Sequence, residues 1–195
     1  MSQGALEGVK VLEYCHTVAG AYCGKLLAEL GAEVIKIEKP RLGDDARRQG
    51  PFPRDLPDAE KSALFLYVNA NKLGVTLEPS SPEGRDIFLE VAEKSDVVLE
   101  DYPPGSLNAM GLGYSDLARV RPDLVLASIT PFGQTGPYAR YHAFGLNVYH
   151  ASGVGYLTPE GWRLLVMPPL KRLRQFFRIN FMVAPHQRRN HIISR

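Results

Sequence analysis

Residues 8–38, GVKVLEYCHTVAGAYCGKLLAELGAEVIKIE, decide the fold of this chain. Val9 to Glu13 alternates apolar and polar residues, and Ala19 to Leu30 repeats apolar residues at helical spacing before Gly31 closes the segment. Glu33 to Ile37 alternates again and is rich in β-branched residues. Because the connection is long enough for a right-handed crossover, the stretch predicts a βαβ unit with two parallel strands.

The same alternation continues along the chain. Short apolar runs predict further strands at Gly74 to Leu77, Asp96 to Leu99 and Leu124 to Ile129. Between them we predict one helix capped by Ser81 and a short second helix capped by Ser115. Strands that alternate with helices predict an α/β fold with an open, mostly parallel, doubly wound sheet of the Rossmann-like kind.

The pattern ends after residue 165. Residues 166–195 contain proline pairs and arginine clusters without a sustained period, so we predict that they fit no element of the sheet and that residues 1–165 form the domain. A basic surface helix near Lys171 to Phe177 is the alternative. We favour an aberrant terminus created by truncation, splicing or a change of reading frame.

Composition and charge exclude several classes of protein. Hydrophobic residues make up 45% of the chain and charged residues 23%, as in a soluble globular protein. Seven cations and no acid lie in residues 166–195, so the net charge of +2 leaves residues 1–165 at −5 and gives no reason to expect nucleic-acid binding. Without a signal-like start or an apolar run of about 20 residues, we expect a cytoplasmic protein with no membrane partner.

No metal site is expected from the two cysteines, because Cys15 and Cys23 have neither a metal-ligand spacing nor that of a disulfide framework. Ligands of open α/β sheets bind beyond the carboxyl ends of strands, which here is the segment Cys15 to Gly20. Its small residues and the free N–H groups of a helix start favour an anionic ligand. The nucleotide signal is weak, since Gly20 and Gly24 do not make G-x-G-x-x-G.

Polar residues near this segment are candidate site residues, and among them Asp44 and Asp45 with Arg47 and Arg48 could be an acid pair with anion binders. His16 could be a general base, but no carboxylate partner can be named, so we favour a loop-ordering role through backbone hydrogen bonds. Glu38 stands where dinucleotide folds place a ribose-binding acid. The segment Asn69 to Lys72 could bind phosphate or form a turn with left-handed asparagine. For Asp44 to Arg48 we favour a solvated, salt-bridged loop, and Phe132 to Pro137 is a lid or a connecting turn.

Taken in order, several blocks resemble the family III CoA-transferases of the CaiB/BaiF type, which include formyl-CoA transferase, carnitine CoA-transferase and α-methylacyl-CoA racemase. The resemblance covers residues 6 to about 158, and the many blocks agree in spacing. The blocks are Leu6–Leu12, Ala19–Gly20, Leu26–Glu38 with Pro40 and Gly43–Asp44, Asn69–Lys72, Asp96–Val98 with Pro104–Gly105, Gly111–Gly113, Ala127–Pro137 and Ala151–Gly153.

The resemblance implies a domain that binds coenzyme A as part of an acyl-CoA substrate, without a metal. It also implies a homodimer of two interlocked chains and the transfer of CoA between an acyl-CoA and a carboxylic acid. In the family an aspartate carboxylate attacks the thioester, and the resulting mixed anhydride becomes an aspartyl-CoA thioester.

Site residues follow from the resemblance position by position. Asp101 replaces an asparagine, and we expect its carboxylate to repel phosphate and to lack the amide donor. Ala109 stands where some members have a CoA-binding arginine, so that contact is missing. The positions that match CoA contacts are Thr17, Val18, Ala19, Lys39, Lys72, Leu77, Asp101 and Tyr102.

The catalytic aspartate of the family is missing from its expected place after Ala151–Gly153, because the last aspartate is Asp123 and the only later acid is Glu160. Gly145–Asn147 also lacks the Gly-His-Asp of the racemases, which favours the transferase branch. We therefore expect a truncated CoA-transferase chain without its nucleophile. The alternatives are an NAD-dependent oxidoreductase on the same βαβ unit and a non-catalytic product that binds full-length partners.

Overall fold

The computed structural model describes residues 4–154 and, for the strand at residues 179–183, the backbone. Two short 3-10 turns, at Asp45–Arg48 and Pro53–Asp55, lie between the second strand and the second helix. The strands and helices are β1 (Lys10–Tyr14), α1 (Val18–Glu29), β2 (Glu33–Glu38), α2 (Ala63–Val68), β3 (Leu73–Thr76), α3 (Pro82–Glu93), β4 (Val97–Glu100), α4 (Ser106–Ala109), α5 (Tyr114–Val120), β5 (Val125–Ile129), α6 (Gly145–Ala151) and β6 (Ile179–Val183).

The strands form one open sheet in the order β3-β2-β1-β4-β5-β6. The first five are parallel, with Leu12 of β1 opposite Ile35 of β2 on one side and opposite Val98 of β4 on the other. After β1 the chain builds towards one edge, and from β4 it builds towards the other edge. The carboxyl ends of β1 and β4 therefore border the crevice in which doubly wound sheets bind ligands.

The central strands β1, β4 and β5 are buried on both faces, which explains why they are so apolar. Val11 and Leu99 pack in one hydrophobic cluster together with residues of α1, whereas Leu12, Val98 and Phe88 pack in a second cluster together with residues of α3 and α5. Adjacent residues of a strand point to opposite faces, so β1, β2, β4 and β5 each contribute to both clusters. The α/β prediction is confirmed.

Helix ends show where local sequence was sufficient. Ser81 accepts a hydrogen bond from the Gly84 backbone N–H at 3.0 Å, so the predicted cap of α3 is confirmed. The predicted cap at Ser115 is wrong, because α5 is capped at Gly113, whose N–H donates to the Asp116 carboxylate at 3.2 Å. The short helices α2, α4 and α6 were not predicted, since each spans only four to seven residues.

The prediction that residues 166–195 fit no element of the sheet is wrong for one segment. Ile179–Val183 forms β6 and pairs antiparallel with β5. The outer edge of a strand offers unpaired backbone groups, and a short apolar segment can satisfy them without any sustained sequence period. Residues 155–178 and 184–195 lie outside the described part of the chain, so the assignment of this tail to a place outside the family fold stays a prediction.

Among the described residues, no helix has both the length and the apolarity needed to cross a bilayer.

Candidate functional site

A cavity lies at the carboxyl end of the sheet, where β1, β4 and β5 end. We call it the main cavity; its volume is about 620 Å³. This position agrees with the crevice expected from the strand order. The main cavity is lined by His16, Thr17, Asp101, Tyr102, Pro103, Pro104, Gly105, Thr130, Pro131, Ala139, Arg140, Tyr141, His142 and Ala143.

Asp101 holds the connection between β1 and α1. Its carboxylate accepts hydrogen bonds from the backbone N–H of His16 at 2.9 Å, from the backbone N–H of Thr17 at 2.8 Å and from the Thr17 hydroxyl. The side chain is 1% exposed. A carboxylate has about four acceptor sites and can accept all of these hydrogen bonds, whereas an asparagine at this position would offer only one amide oxygen. The substitution that the sequence marked as a defect thus organises the loop.

His16 has the carboxylate partner that the sequence did not reveal. Its Nδ1 atom lies 2.9 Å from Asp101 Oδ1, and one third of its side chain is exposed. The interaction with Asp101 raises the pKa of His16, although burial acts in the opposite direction. The expectation that no carboxylate partners this histidine is therefore wrong, because Asp101 lies beside its Nδ1 atom at the mouth of the main cavity.

Tyr102 forms an aromatic platform beside this pair. Its ring stacks on Tyr14 with centroids 4.6 Å apart and tilts against His16 at 4.4 Å. Burial and the hydrogen bond to Tyr14 raise the pKa of the Tyr102 phenol. The Lys39 Nζ lies 5.4 Å from the centre of the Tyr102 ring, a cation–π distance. Lys39, Tyr102 and His16 also line a smaller cavity of about 80 Å³ beside β2.

Behind the β1–α1 connection lies a group of four charged side chains, which we call the buried ion cluster. Lys36 Nζ lies 2.9 Å from Glu13 Oε1 and 2.7 Å from Asp44 Oδ2, and Lys72 Nζ lies 2.7 Å from Glu13 Oε2. Each of these side chains is at most 2% exposed. Burial lowers the pKa of Lys36, but the adjacent carboxylates outweigh it and raise the pKa overall. For Lys72, burial dominates and the pKa is lowered.

The buried ion cluster also binds the backbone near the site. Lys36 donates to the carbonyl of Cys15 at 3.1 Å, and Lys72 donates to the carbonyl of Ala21 at 2.6 Å. The cluster therefore connects β1, β2, the turn before β3 and the first half of α1. Two cations and two anions in mutual contact meet the condition under which charges can be buried.

The structure brings together four of the predicted site residues and separates others. Thr17, Asp101 and Tyr102 line the main cavity, and Lys39 borders the smaller one. Val18 and Ala19 are exposed beside Thr17 at the start of α1. The remaining two predicted contacts lie elsewhere: Lys72 in the buried ion cluster, and Leu77 against the hydrophobic core.

These contacts bear on three sequence interpretations and correct the first of them. Asp44 belongs to the buried ion cluster and not to a solvated loop. The Glu38 carboxylate accepts from Arg47 Nε at 2.7 Å and from the Asp44 N–H at 2.9 Å, so it has partners within the chain. Asn71 adopts a left-handed backbone with φ of 62°, which supports the turn interpretation of its segment.

Two glycines of α1 let the helix approach both charged groups. A Cβ atom on Gly20 would lie 2.7 Å from Asp101 Oδ2, and one on Gly24 would overlap the Glu13 carboxylate. Their spacing of four residues places them on one helix face. The sequence showed these glycines but not their partners, so their role was missed.

Residues 6–172 match CoA-transferase family III. The chain belongs to this family. It is 41% identical over 157 residues to human succinyl-CoA:glutarate CoA-transferase, covering 80% of this chain and 35% of the relative. It is 38% identical over 161 residues to acetyl-CoA:oxalate CoA-transferase of Acetobacter aceti, covering 82% and 40%. The chain thus spans less than half the length of these family members.

A solved structure agrees with the family assignment. A CaiB/BaiF family protein from Brucella suis superposes with a TM-score of 0.75 at 34% identity, over 87% of this chain and 44% of that protein. The open parallel sheet described above is therefore the family's fold over this part of the chain. Within the described residues, no group of three His, Cys, Asp or Glu side chains is arranged to hold a metal ion.

Proposed function

We propose that the main cavity binds the CoA part of an acyl-CoA, and that the protein transfers CoA from this thioester to a carboxylic acid. One observation carries the proposal. In a chain of CoA-transferase family III, the crevice between β1 and β4 opens into about 620 Å³ and is lined by cationic and aromatic side chains, including His16, Tyr102 and Arg140. CoA carries phosphates and an aromatic base, which such a lining suits.

Each predicted contact has a chemical role in this proposal. Backbone N–H groups of Val18 and Ala19, in the first turn of α1, favour phosphate through the helix dipole. Lys39 adds a positive charge at the end of β2, and the Tyr102 ring offers an apolar wall. We assign Lys72 to the fold, because both its charge and its donors are already used by Glu13, Ala21 and Asn69.

The chemical step that we propose is nucleophilic catalysis by an aspartate carboxylate. Its oxygen attacks the thioester carbonyl and CoA leaves as a thiolate; the thiolate then attacks the aspartyl carbonyl and releases the first acid. The acceptor carboxylate repeats the exchange in reverse order, so no proton or electron is consumed. The sequence has no aspartate after Asp123. We propose that residues outside this chain supply the nucleophile.

The acceptor that we propose is a dicarboxylic acid. The names of the two relatives described above pair an acyl-CoA with glutarate or with oxalate, both dicarboxylates. We also propose, from the family resemblance, that a complete chain forms an interlocked homodimer. Incubation of the chain with succinyl-CoA and glutarate, followed by chromatography of the CoA esters, measures turnover; we expect none from the 195 residues alone.

Ligand binding tests the proposal directly. CoA at about 100 times its Kd stabilises the native state by about 2.7 kcal/mol, so thermal unfolding with CoA should occur several degrees higher. NAD at the same concentration should have little effect, which separates the CoA proposal from an oxidoreductase on the same βαβ unit. Equal stabilisation by NAD, or none by CoA, would contradict the proposal. Co-purification with a complete family member would favour a non-catalytic binding role.

A further inference from the structure

The ion pair between His16 and Asp101 has a consequence for the way the site receives its ligand. We propose that Asp101 is a positioning residue that keeps His16 protonated at neutral pH, so that the imidazolium receives an anionic group of the ligand at the mouth of the main cavity. The identity of the ligand rests on the proposed function. The protonation of His16 beside Asp101 does not rest on it and can be measured without any ligand.

Among the contacts of Asp101, only His16 can balance the negative charge of its carboxylate. Three of the four contacts described for the carboxylate come from neutral donors, namely two backbone N–H groups and the Thr17 hydroxyl. The fourth is His16 Nδ1 at 2.9 Å. A carboxylate that is 1% exposed is poorly solvated, and the low local dielectric strengthens its attraction to a neighbouring cation. Protonation of His16 therefore neutralises an otherwise costly buried charge.

The same contact also orients the ring towards the cavity. Because Asp101 engages Nδ1, the other ring nitrogen, Nε2, is left to serve a ligand. The Tyr102 ring packs against the imidazole at 4.4 Å and restricts its rotation. His16 lines both the main cavity and the smaller cavity next to Lys39, and one third of its side chain is exposed. A charged N–H donor thus stands where the two cavities meet.

The other charged groups around His16 act in both directions. Asp101 and Asp45 favour the imidazolium, whereas Lys39 disfavours it. Glu100 lies at the end of β4, and its own pKa is raised by burial. From the segment after β5, the groups that line the main cavity are Arg140 and His142.

Further charges in the wall of the smaller cavity have partners of their own. Arg48 pairs with Asp45, which weakens the effect of Asp45 on His16. Asp44 pairs with Lys36 in the buried ion cluster, and Glu38 pairs with Arg47. The sum of these effects leaves the pKa of His16 raised, with the Asp101 interaction as the largest contribution.

The sign of the expected pH dependence follows from this direction. An imidazolium binds an anion, so affinity is retained below the pKa of His16 and declines as pH rises through it. Since that pKa is raised above the ordinary value of about 6.5, the decline should occur at a more alkaline pH than an isolated histidine would give. A phosphate monoester completes its second ionisation near pH 6, so measurements above pH 7 report the protein and not the ligand's phosphate.

The first test measures the titration of His16 without ligand. Imidazole NMR signals of the 195-residue chain are followed from pH 5 to 9, and the His16 signal is assigned by its loss in His16→Gln. We expect a midpoint above about 6.5 in the wild type and a lower midpoint in Asp101→Asn. The matched control is Thr17→Val, which removes a neutral donor from the same carboxylate and should leave the midpoint unchanged.

The second test measures the Kd of CoA between pH 7 and 8.5 by titration calorimetry. The wild type should lose affinity as His16 deprotonates, and His16→Gln should show weaker binding without this pH dependence. Asp101→Asn should bind about tenfold more weakly at pH 7.5, as expected for the loss of one charge-assisted contact. Thr17→Val should keep the wild-type shape of the pH profile, even if its affinity falls at every pH.

The outcomes separate the two proposals. If CoA does not bind at any pH, the proposed function fails, while the NMR midpoints still decide the state of the pair. A wild-type midpoint at or below the ordinary histidine value of about 6.5 overturns the inference, and that midpoint is measured on the unchanged chain. Equal midpoints in the wild type and Asp101→Asn overturn the role of Asp101. A shifted midpoint with pH-independent CoA affinity overturns the role of His16 as the receiving cation.

Discussion

Two groups of charged residues lie on either side of the β1–α1 connection and differ in burial. In the buried ion cluster, Lys36 and Glu13 are at most 2% exposed and pair with each other and with neighbouring charges. At the mouth of the main cavity, His16 is one third exposed and Lys39 is half-buried. Charged residues thus serve two purposes. Buried charges that neutralise each other stabilise the fold, whereas partly exposed charges can contact a ligand.

The difference in burial predicts how much stability is lost when a charge loses its partner. A buried charge that loses its partner keeps its desolvation penalty, so removal of one member is strongly destabilising. A partly exposed charge that loses its partner is screened by water, so the protein tolerates the loss. Variants of the buried ion cluster should therefore change stability, whereas a variant of the half-buried Lys39 should change ligand affinity.

The largest effect is expected for Lys36→Met. This change leaves the Asp44 carboxylate buried beside an apolar chain and removes one of two cations from Glu13, so the free energy of unfolding should fall by about 3–5 kcal/mol. Urea unfolding followed by circular dichroism measures it. The matched control is Lys61→Met, whose ion pair with Asp58 is exposed and should matter little. Equal losses in both variants would remove the distinction between the two groups.

A smaller loss is expected for Gly24→Ala. Alanine normally favours a helix over glycine, but here its methyl group would overlap the Glu13 carboxylate, which is held by two lysines. We expect a net destabilisation of about 1–3 kcal/mol, as for other overpacked interiors. Gly145→Ala is the control, because a Cβ there meets no atom within 4 Å. Stabilisation by Gly24→Ala would show that the buried ion cluster can move aside.

The comparison also shows which features could be predicted from sequence. The strands and long helices were predictable, because their apolar periodicity is local and the central strands are buried on both faces. The charged pairs were not, since His16 and Asp101 are 85 residues apart and Lys36 and Glu13 are 23 apart. Both pairs form because neighbouring parallel strands bring their carboxyl ends together. A local sequence pattern does not predict such a contact.

Family resemblance gives positions for the site residues, and the structure adds the contacts that these side chains make within the chain. It marked Lys72 as a ligand contact and Asp101 as a departure that would repel phosphate, yet the first is used by Glu13 and the second is bonded to the β1–α1 loop. Burial decided both outcomes, and burial is a property of the assembled sheet. The short strand β6 was missed for a related reason, since its pairing depends on the free edge of β5 and not on its own period.

The smallest change in stability is expected at the mouth, where Lys39→Met tests the other half of the comparison. Lys39 lies against the face of Tyr102 and borders the smaller cavity, so its loss should remove attraction to phosphate without leaving an unpaired buried charge. We expect CoA affinity to fall roughly fivefold at low salt, the scale of a partly exposed ionic contact. Urea unfolding should remain within about 0.5 kcal/mol of the wild type, as for most surface substitutions.

Salt dependence sharpens this last prediction. Because added salt screens exposed charges, the affinity difference between wild type and Lys39→Met should shrink between about 0.02 and 0.5 M salt. Lys61→Met again serves as the control, since its lysine is exposed, pairs with Asp58 and is not in the lining of either cavity. A loss of stability in Lys39→Met as large as that in Lys36→Met would place Lys39 among the residues that hold the fold, and the division between the two charged groups would then be wrong.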